Sequence, residues 1–244
     1  MTAFFMAWMM FFYIPCPVTK WDEKKKQDML VCFPVIGLMI GAIDLAVYQI
    51  VKYSEFAFLG SALMSFMPWM LCGFIHLDGF MDCADAVLSC RDQKRRLEIL
   101  KDSHVGAFAV ISVLILGILS FAAWRECILE INPLCILLMP VVSRAVAGIC
   151  VLGYKPLEHS SYKAIYDEGI KKSRIVILFA ELIIALAIGF IFAGLQGIAL
   201  LYCAVSAFLT VIEVKRKIGG MSGDVSGCAV CIAELMGVIA LCFL

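Results

Sequence analysis

Seven apolar stretches, each about as long as a membrane-spanning helix, take up most of the sequence. They are residues 31–51, 56–76, 106–124, 133–153, 175–194, 196–214 and 225–244. Hydrophobic residues make up 63% of the chain and charged residues 16%, far from the composition of a soluble domain. The sequence therefore predicts an all-α polytopic integral membrane protein with about seven transmembrane helices. Its longest polar segments, 77–105 and 154–174, are too short to fold alone, so residues 1–244 are expected to form one membrane-embedded domain.

The N-terminal segment is apolar but shorter than a span. Residues 1–14 end before Pro15 and Pro17, and as a helix they would reach only about 21 Å. We expect a half-inserted or interfacial helix here. The segment lacks the basic start and cleavage site of a secretory signal, so it is expected to stay in the mature protein.

Charge is balanced overall but unevenly placed. With 20 Lys plus Arg against 20 Asp plus Glu, the composition argues against a nucleic-acid binder held by general positive charge. Seventeen of the 20 basic residues fall in four loops on one predicted side of the membrane, at 20–26, 91–101, 155–174 and 215–217. The positive-inside rule places these loops in the cytoplasm, as in a multi-pass protein of a prokaryotic inner membrane. The 12 cysteines are scattered through apolar runs, which favours small buried hydrophobes over a disulfide framework.

An acidic segment follows the second predicted span. In HLDGFMDCADAVLSCRDQKRRLEILKDSHVG, residues 76–106, Asp78, Asp82 and Asp85 share one face of a predicted helix. Their mutual repulsion calls for a cation, and carboxylates favour Mg²⁺, which commonly adds substrate phosphates as ligands. Asp78 and Asp85 are about 10.5 Å apart along the helix, so another loop should complete the site. The alternative is that the basic residues of 91–101 neutralise this face.

Neighbouring residues in this segment allow more than one interpretation each. Gly79 permits close approach of a substrate or of another helix. His76 fits a ligand, an acid/base group, a phosphate contact or a polar anchor at the membrane boundary. Arg95, Arg96 and Lys101 suit a phosphate, or equally an anionic lipid surface.

A second polar motif opens the last predicted span. The segment KRKIGGMSGDVSG, residues 215–227, is glycine-rich, and its free amides and the following helix N-terminus suit an anion such as phosphate. Ser222 and Asp224 are as easily N-caps of that helix. Four ionisable residues lie inside predicted spans: Asp44, Arg144, Glu181 and Glu234. Such groups mark internal ion pairs or a transport path.

These motifs resemble one family. HLDGFMDCADA, then RRLEILKDSHVGAF and later GGMSGD, follow the order of the HxDGxxDxxDG, RRLEIMKDSxxG and GGxTGDxxGA runs of cobalamin-5'-phosphate synthase, also called adenosylcobinamide-GDP ribazoletransferase. The resemblance covers essentially the whole chain, including FYIPCP near the N-terminus. Three positions depart from the pattern, Ala86, His104 and Ser222, and none removes a carboxylate.

The resemblance implies a reaction and a set of site residues. The expected reaction joins adenosylcobinamide-GDP to α-ribazole or its 5'-phosphate, releases GMP and depends on one or two Mg²⁺ ions. The expected metal ligands are Asp78, Asp82, Asp85 and Asp224, and the expected catalytic residues are Asp82, Asp224 and His76. The expected substrate-binding residues are Gly79, Arg95, Arg96, Lys101, Asp102, Ser103, Gly219, Gly220, Ser222 and Gly223.

Two other functions were weighed. A CDP-alcohol phosphotransferase of phospholipid synthesis would carry DGxxAR and GxxxDxxxD elements, which are absent here. A transporter would use the intramembrane charges, but the charged motifs lie mainly in loops. The sequence leaves open the ribazole form, the lower base and a homo-oligomeric state. Residues 153–169 suit a cap over the active site, a contact with the corrin or a solvated connector, and the connector is slightly favoured.

Overall fold

The computed structural model describes residues 1–53 and 56–244, and these residues are almost entirely helical. The helices are α1 (Thr2–Phe11), α2 (Lys26–Val31), α3 (Phe33–Lys52), α4 (Ala57–Leu71), α5 (Ile75–Leu88), α6 (Gln93–Ile99), α7 (Ala107–Cys127), α8 (Pro133–Gly153), α9 (Lys163–Asp167), α10 (Lys172–Ala193), α11 (Ile198–Ile218) and α12 (Gly223–Leu241). Short 3-10 turns occupy Glu23–Lys25 and Gly194–Gly197. The described residues contain no strand, only an isolated bridge between Pro156 and Met221, so the all-α prediction is confirmed.

Most predicted spans correspond to observed helices. Five helical segments are long and apolar enough to cross a membrane, and a sixth is added if α4 and α5 together count as one span. Helices α3, α7, α8 and α12 match four of the predicted stretches within a few residues. The molecule is therefore a polytopic all-α membrane protein. The short apolar helix α1 rises only about 15 Å and packs on α2 and α3.

The predicted span at 56–76 is wrong as a single straight helix. Helix α4 ends at Leu71, and α5 leaves at 91° to it. The reason is local, because Gly73 and Phe74 both adopt positive φ angles, 58° and 61°, which no helix can continue through. The bend turns α5, and with it the acidic residues, toward α12.

The longest apolar segment is a helical hairpin. Lys172–Ile218 spans 47 residues, which as one straight helix would measure about 70 Å. It turns back at Gly194–Gly197, so that Leu178 near the start of α10 and Lys215 near the end of α11 both contact the C-terminal end of α8. The two stretches predicted at 175–194 and 196–214 are therefore the two arms of this hairpin.

The core is centred on α8, which packs against α3, α10, α11 and α12. Arg144 on α8 is 1% exposed and forms an ion pair with Glu234 on α12, with Nη1 and Oε1 2.5 Å apart. This identifies the acidic partner that the sequence left open. All 12 cysteines are free thiols and eight are buried, as predicted for small apolar side chains.

The loops that carry most of the basic residues meet at one end of the helix bundle. Gln27 after the first loop donates to the Gly169 carbonyl, at 2.9 Å. Arg96 donates to the Lys217 carbonyl at 3.3 Å, and the Lys215 ammonium lies 3.6 Å from the Tyr154 ring centroid. This basic end is also where the acidic helix α5 and the glycine-rich segment come together.

Candidate active site

Helices α5 and α12 touch at a glycine. A Cβ at Gly79 would lie 2.7 Å from the Asp224 Cα and 3.0 Å from its carbonyl oxygen. Of the two interpretations of Gly79, close approach of a neighbouring helix is therefore the one the structure supports. The contact brings the acidic face of α5 directly against the start of α12.

Four carboxylates gather around this contact. The half-buried Asp82 interacts electrostatically with Asp78, Asp85 and Asp224, and Asp224 also interacts with Asp78. None of the four has a basic group within 4.0 Å in residues 1–53 and 56–244. This cluster, Asp78, Asp82, Asp85 and Asp224, is called the carboxylate cluster below.

The basic residues of 91–101 do not neutralise the carboxylate cluster. Arg95 pairs with Glu98 at 2.6 Å on the exposed face of α6. Arg96 is held by the carbonyl of Lys217 near the end of α11, where a cation suits the partial negative charge of the helix terminus. The cluster therefore keeps a high density of negative charge.

The members of the carboxylate cluster have different surroundings. Both oxygens of Asp85 accept backbone hydrogen bonds, from Gly106 N–H at 2.7 Å and Ala109 N–H at 2.9 Å. Asp85 thus holds the N-terminus of α7 in place, which is a positioning role in addition to the predicted metal role. Asp78 is exposed and faces a cavity of about 500 Å³ beside Tyr13 and Gly73.

The described residues contain no group of three or more His, Cys, Asp or Glu side chains already arranged to hold a metal ion. The donor chemistry nevertheless fits Mg²⁺, which typically uses one or two carboxylates and completes its shell with water and substrate phosphates. Asp82 and its neighbours Asp78 and Asp224 supply oxygen ligands of this kind. The uncompensated charge of the cluster is the observation that favours a cation here.

His76, predicted to be catalytic, lies in the interior beside aromatic side chains. Its side chain is 6% exposed, with ring centroids 6.0 Å from Phe11 and 5.6 Å from Phe33. The Gly227 position of α12 packs against its backbone. In the structure the ring therefore packs between α1, α3 and α5, and its catalytic role stays a prediction.

The glycine-rich segment shapes the other wall of the site. Gly219 ends α11 with φ of 103°, a conformation that favours glycine. Ser222 caps α12 by accepting from the Val225 N–H at 3.3 Å, and its hydroxyl donates to Asp224 at 3.2 Å. The N-cap interpretation of Ser222 is therefore confirmed, and it fixes the carboxylate of Asp224.

A cavity of about 600 Å³ opens beside Asp224, at the N-terminus of α12. It is lined by α6, by the glycine-rich segment and by residues 155–161, and it includes Lys101, Lys155 and His159. We call it the α12 cavity. Residues 155–161, expected to be a solvated connector, line this cavity, and Lys155, Glu158, His159 and Ser161 among them are exposed. The chain is held there because Leu157 N–H donates to the Met221 carbonyl and Met221 N–H to the Lys155 carbonyl, at 2.9 and 3.0 Å.

Tyr162 is buried next to the start of α12. It is 7% exposed, and its ring lies near the Gly223 position. Burial, with the nearby Asp224 charge, raises the pKa of Tyr162 to about 12, so the phenol stays protonated at neutral pH. Neither Lys155 nor Tyr162 stood out in the sequence, because both lie in a segment without a recognisable motif.

The predicted substrate-binding residues Arg95, Asp102 and Ser103 lie at or beside a cavity other than the α12 cavity. A space of about 700 Å³ is lined by Asp85, Arg95, Asp102, His104 and Gly106, among others. Asp102 accepts from the His104 backbone N–H and contacts its ring, and these hydrogen bonds lower the pKa of the Asp102 carboxyl. Ser103 is exposed beside them. Arg95 and Lys101, predicted to bind one phosphate together, therefore belong to separate cavities.

Comparisons with known proteins agree with this arrangement of motifs. A family model described as cobalamin-5-phosphate synthase matches residues 3–242. An adenosylcobinamide-GDP ribazoletransferase of Clostridium botulinum (strain Alaska E43 / Type E3) is 36% identical over 241 residues, covering 97% of this chain and 95% of the relative. Relatives of the same name from Clostridium perfringens (strain 13 / Type A) and Halalkalibacterium halodurans are 36% and 32% identical, covering 97% and 90% of this chain and 95% and 87% of their own. No solved structure matches the chain.

Proposed function

Because the chain belongs to the cobalamin-5-phosphate synthase family, we propose that it is the enzyme that completes the nucleotide loop of cobalamin. It transfers the adenosylcobinamide-phosphate moiety of adenosylcobinamide-GDP to α-ribazole or to α-ribazole 5'-phosphate. The products are adenosylcobalamin or its 5'-phosphate, and GMP. The family assignment gives no support to the phospholipid-synthesis or transporter alternatives.

One structural observation supports the site: the Gly79–Asp224 contact joins the carboxylate cluster to the α12 cavity. Asp224 belongs to both. A phosphate bound in the α12 cavity would therefore lie next to a concentration of carboxylates that no protein cation neutralises in the described residues. A metal ion held by the carboxylates would offset that repulsion.

The chemistry proposed is a single phosphoryl substitution. The ribose hydroxyl oxygen of α-ribazole forms a bond to the phosphorus that carries the cobinamide arm, and the bond from that phosphorus to the GMP oxygen breaks. The hydroxyl proton is lost to a carboxylate of the cluster, for which Asp224 is placed best, because its position is fixed by Ser222. Such reactions depend mainly on positioning and on neutralising charge at the phosphate oxygens.

Mg²⁺ would be held by Asp82 with Asp78 and Asp224, and it would supply neutralisation of the pyrophosphate charge. Asp85 helps to position these three carboxylates, because its hydrogen bonds fix α5 to the first turn of α7. Whether one or two ions bind depends on the phosphates that complete the shell, since Asp78 and Asp224 face different cavities.

Phosphate binding is assigned to the α12 cavity. Lys101 and Lys155 line it together with Gly219 and Gly223, and the N-terminus of α12 adds its partial positive charge. Arg96 donates one hydrogen bond to the end of α11, and its predicted phosphate contact stays a prediction.

The location proposed is the inner membrane of a prokaryote, with the basic end of the bundle in the cytoplasm. The four basic loops meet at that end, and the positive-inside rule orients such an end inward. The site would then face the compartment that holds nucleotides. The relatives of known name come from bacteria, which agrees with a prokaryotic source.

The test is reconstitution of the purified protein in liposomes with adenosylcobinamide-GDP, α-ribazole and Mg²⁺. GMP and a base-containing corrinoid should form together and be separated by chromatography, and EDTA should abolish both. Asp82→Asn should lower turnover at least about 100-fold, as expected for loss of a metal ligand. Glu130→Gln, an exposed carboxylate between α7 and α8, is the matched control. Undiminished turnover of Asp82→Asn, or full activity in EDTA, would refute the metal assignment.

A further inference from the structure

A second polar site lies deep in the helix bundle, apart from the carboxylate cluster. A cavity of about 40 Å³ is lined by α3, α4, α7, α8 and α12. Its polar lining consists of Asp44, Ser65, Ser120 and Glu234. Glu234 follows Asp224 by ten residues on the same helix, so this site is about 15 Å from the cluster along α12.

Asp44 has no partner for its charge. The residue is 2% exposed, and its Oδ1 atom has no hydrogen-bond partner in the part of the chain that the structure describes. The charged groups that face it are Glu234, which repels it, and Arg144, which attracts it.

The Arg144 guanidinium is already bound elsewhere. It contacts Glu234 at 2.5 Å, the Ser143 hydroxyl and the Pro140 carbonyl at 3.1 Å, and the Cys72 sulfur at 3.2 Å. In the described residues it makes no ion pair with Asp44 within 4.0 Å. The two carboxylates and one guanidinium leave one negative charge unbalanced in the interior, which is costly in a membrane.

Two prolines add acceptors to the same cavity. Pro68 in α4 and Pro140 in α8 both line it, and each lacks the N–H that would bond to the carbonyl four residues earlier. Those carbonyls belong to Met64 and Ile136, which also line the cavity. The site therefore combines carboxylate and hydroxyl oxygens, and two of the residues that line it carry carbonyls left without their usual helical donor.

We propose that this cavity is a binding site for a monovalent alkali cation, Na⁺ or K⁺, with Asp44 as its principal ligand. Oxygen ligands are those that hard cations prefer. One charge is needed, not two, because Arg144 already balances Glu234. The volume exceeds the roughly 10–15 Å³ that one water-sized particle requires, so an ion fits with a water molecule. The ion ties together the five helices around it and takes no part in the phosphoryl transfer.

The test is thermal unfolding of the purified protein in detergent, in buffers where NaCl or KCl replaces choline chloride at constant ionic strength. Trp69 and Trp124 line the cavity, so tryptophan fluorescence reports on the site directly. At about 100 times the dissociation constant, the cation should raise Tm by roughly 5–10 °C with a saturable fluorescence change. Asp44→Asn should abolish both responses, and Glu181→Gln, an intramembrane carboxylate outside this cavity, should keep them.

Ser120→Ala provides a second variant if Asp44→Asn does not fold. Loss of one oxygen ligand should raise the half-saturating cation concentration several-fold, and an unchanged concentration would refute the site. Equal Tm in choline and alkali chlorides would also refute it. A midpoint that depends on pH but not on the cation would show that a proton, and no metal ion, balances Asp44.

Discussion

The close contact of α5 and α12 at Gly79 brings the proposed catalytic carboxylates together. Replacing Gly79 with alanine tests both the packing of the two helices and its effect on turnover. The added Cβ would lie 2.7 Å from the Asp224 Cα, whereas ordinary contacts begin at 3.4 Å. Both contacting atoms belong to the backbone, so no side-chain rotation relieves the overlap. Helices α5 and α12 would have to separate by about 1 Å, a typical adjustment to overpacking.

The expected cost follows from that separation. Overpacking of this size costs about 1–3 kcal/mol, offset by about 0.5–1 kcal/mol from the better helix propensity of alanine. The variant should therefore fold with a modest loss of stability. Turnover should fall roughly 100-fold, because displacement of about 1 Å between Asp82 and Asp224 disrupts the positioning of reacting groups.

The assay pairs GMP release in liposomes with denaturant unfolding in mixed micelles. Gly117→Ala in α7 is the matched control, since its Cβ would lie 3.7 Å from the Phe66 ring, an ordinary contact. That variant should keep turnover within about twofold and gain up to about 1 kcal/mol of stability. If Gly79→Ala retained wild-type turnover, the α5–α12 contact would not be what positions the carboxylates.

Two further predictions address the ion pair and the phosphate site. Arg144→Met should cost about 3–5 kcal/mol because it leaves the buried Glu234 charge unpaired, and the double variant Arg144→Met/Glu234→Met should recover most of that loss in unfolding titrations. A loss below about 1 kcal/mol would contradict the pairing. Lys155→Met should raise the KM of one substrate about tenfold or more, as expected for loss of a charged hydrogen bond. That substrate is the one whose phosphate occupies the α12 cavity. Comparing the KM values of α-ribazole and its 5'-phosphate identifies that substrate. Lys52→Met, at the far end of α3, is the control. An unchanged KM for every substrate would show that Lys155 does not belong to the site.

The sequence was sufficient to identify the chemistry of the protein. Apolar stretches of membrane length depend only on consecutive side chains, so α3, α7, α8 and α12 could be predicted within a few residues. The acidic and glycine-rich motifs are likewise local, and the resemblance they carry was confirmed by the family match over residues 3–242. The bend after α4 was missed, because Gly73 and Phe74 look unremarkable within an apolar run.

The tertiary structure decided which of the candidate residues act together. The partners of His76 and Arg96, Phe11 and the end of α11, are distant in sequence and could not be predicted from it. Lys155 joined the site only because the chain after α8 returns to pair with Met221. Sequence determines which groups are present and the period at which they recur along a helix. Which of these groups come together in space depends on contacts between helices, such as the backbone contact between Gly79 and Asp224. Those contacts form only when the whole bundle packs.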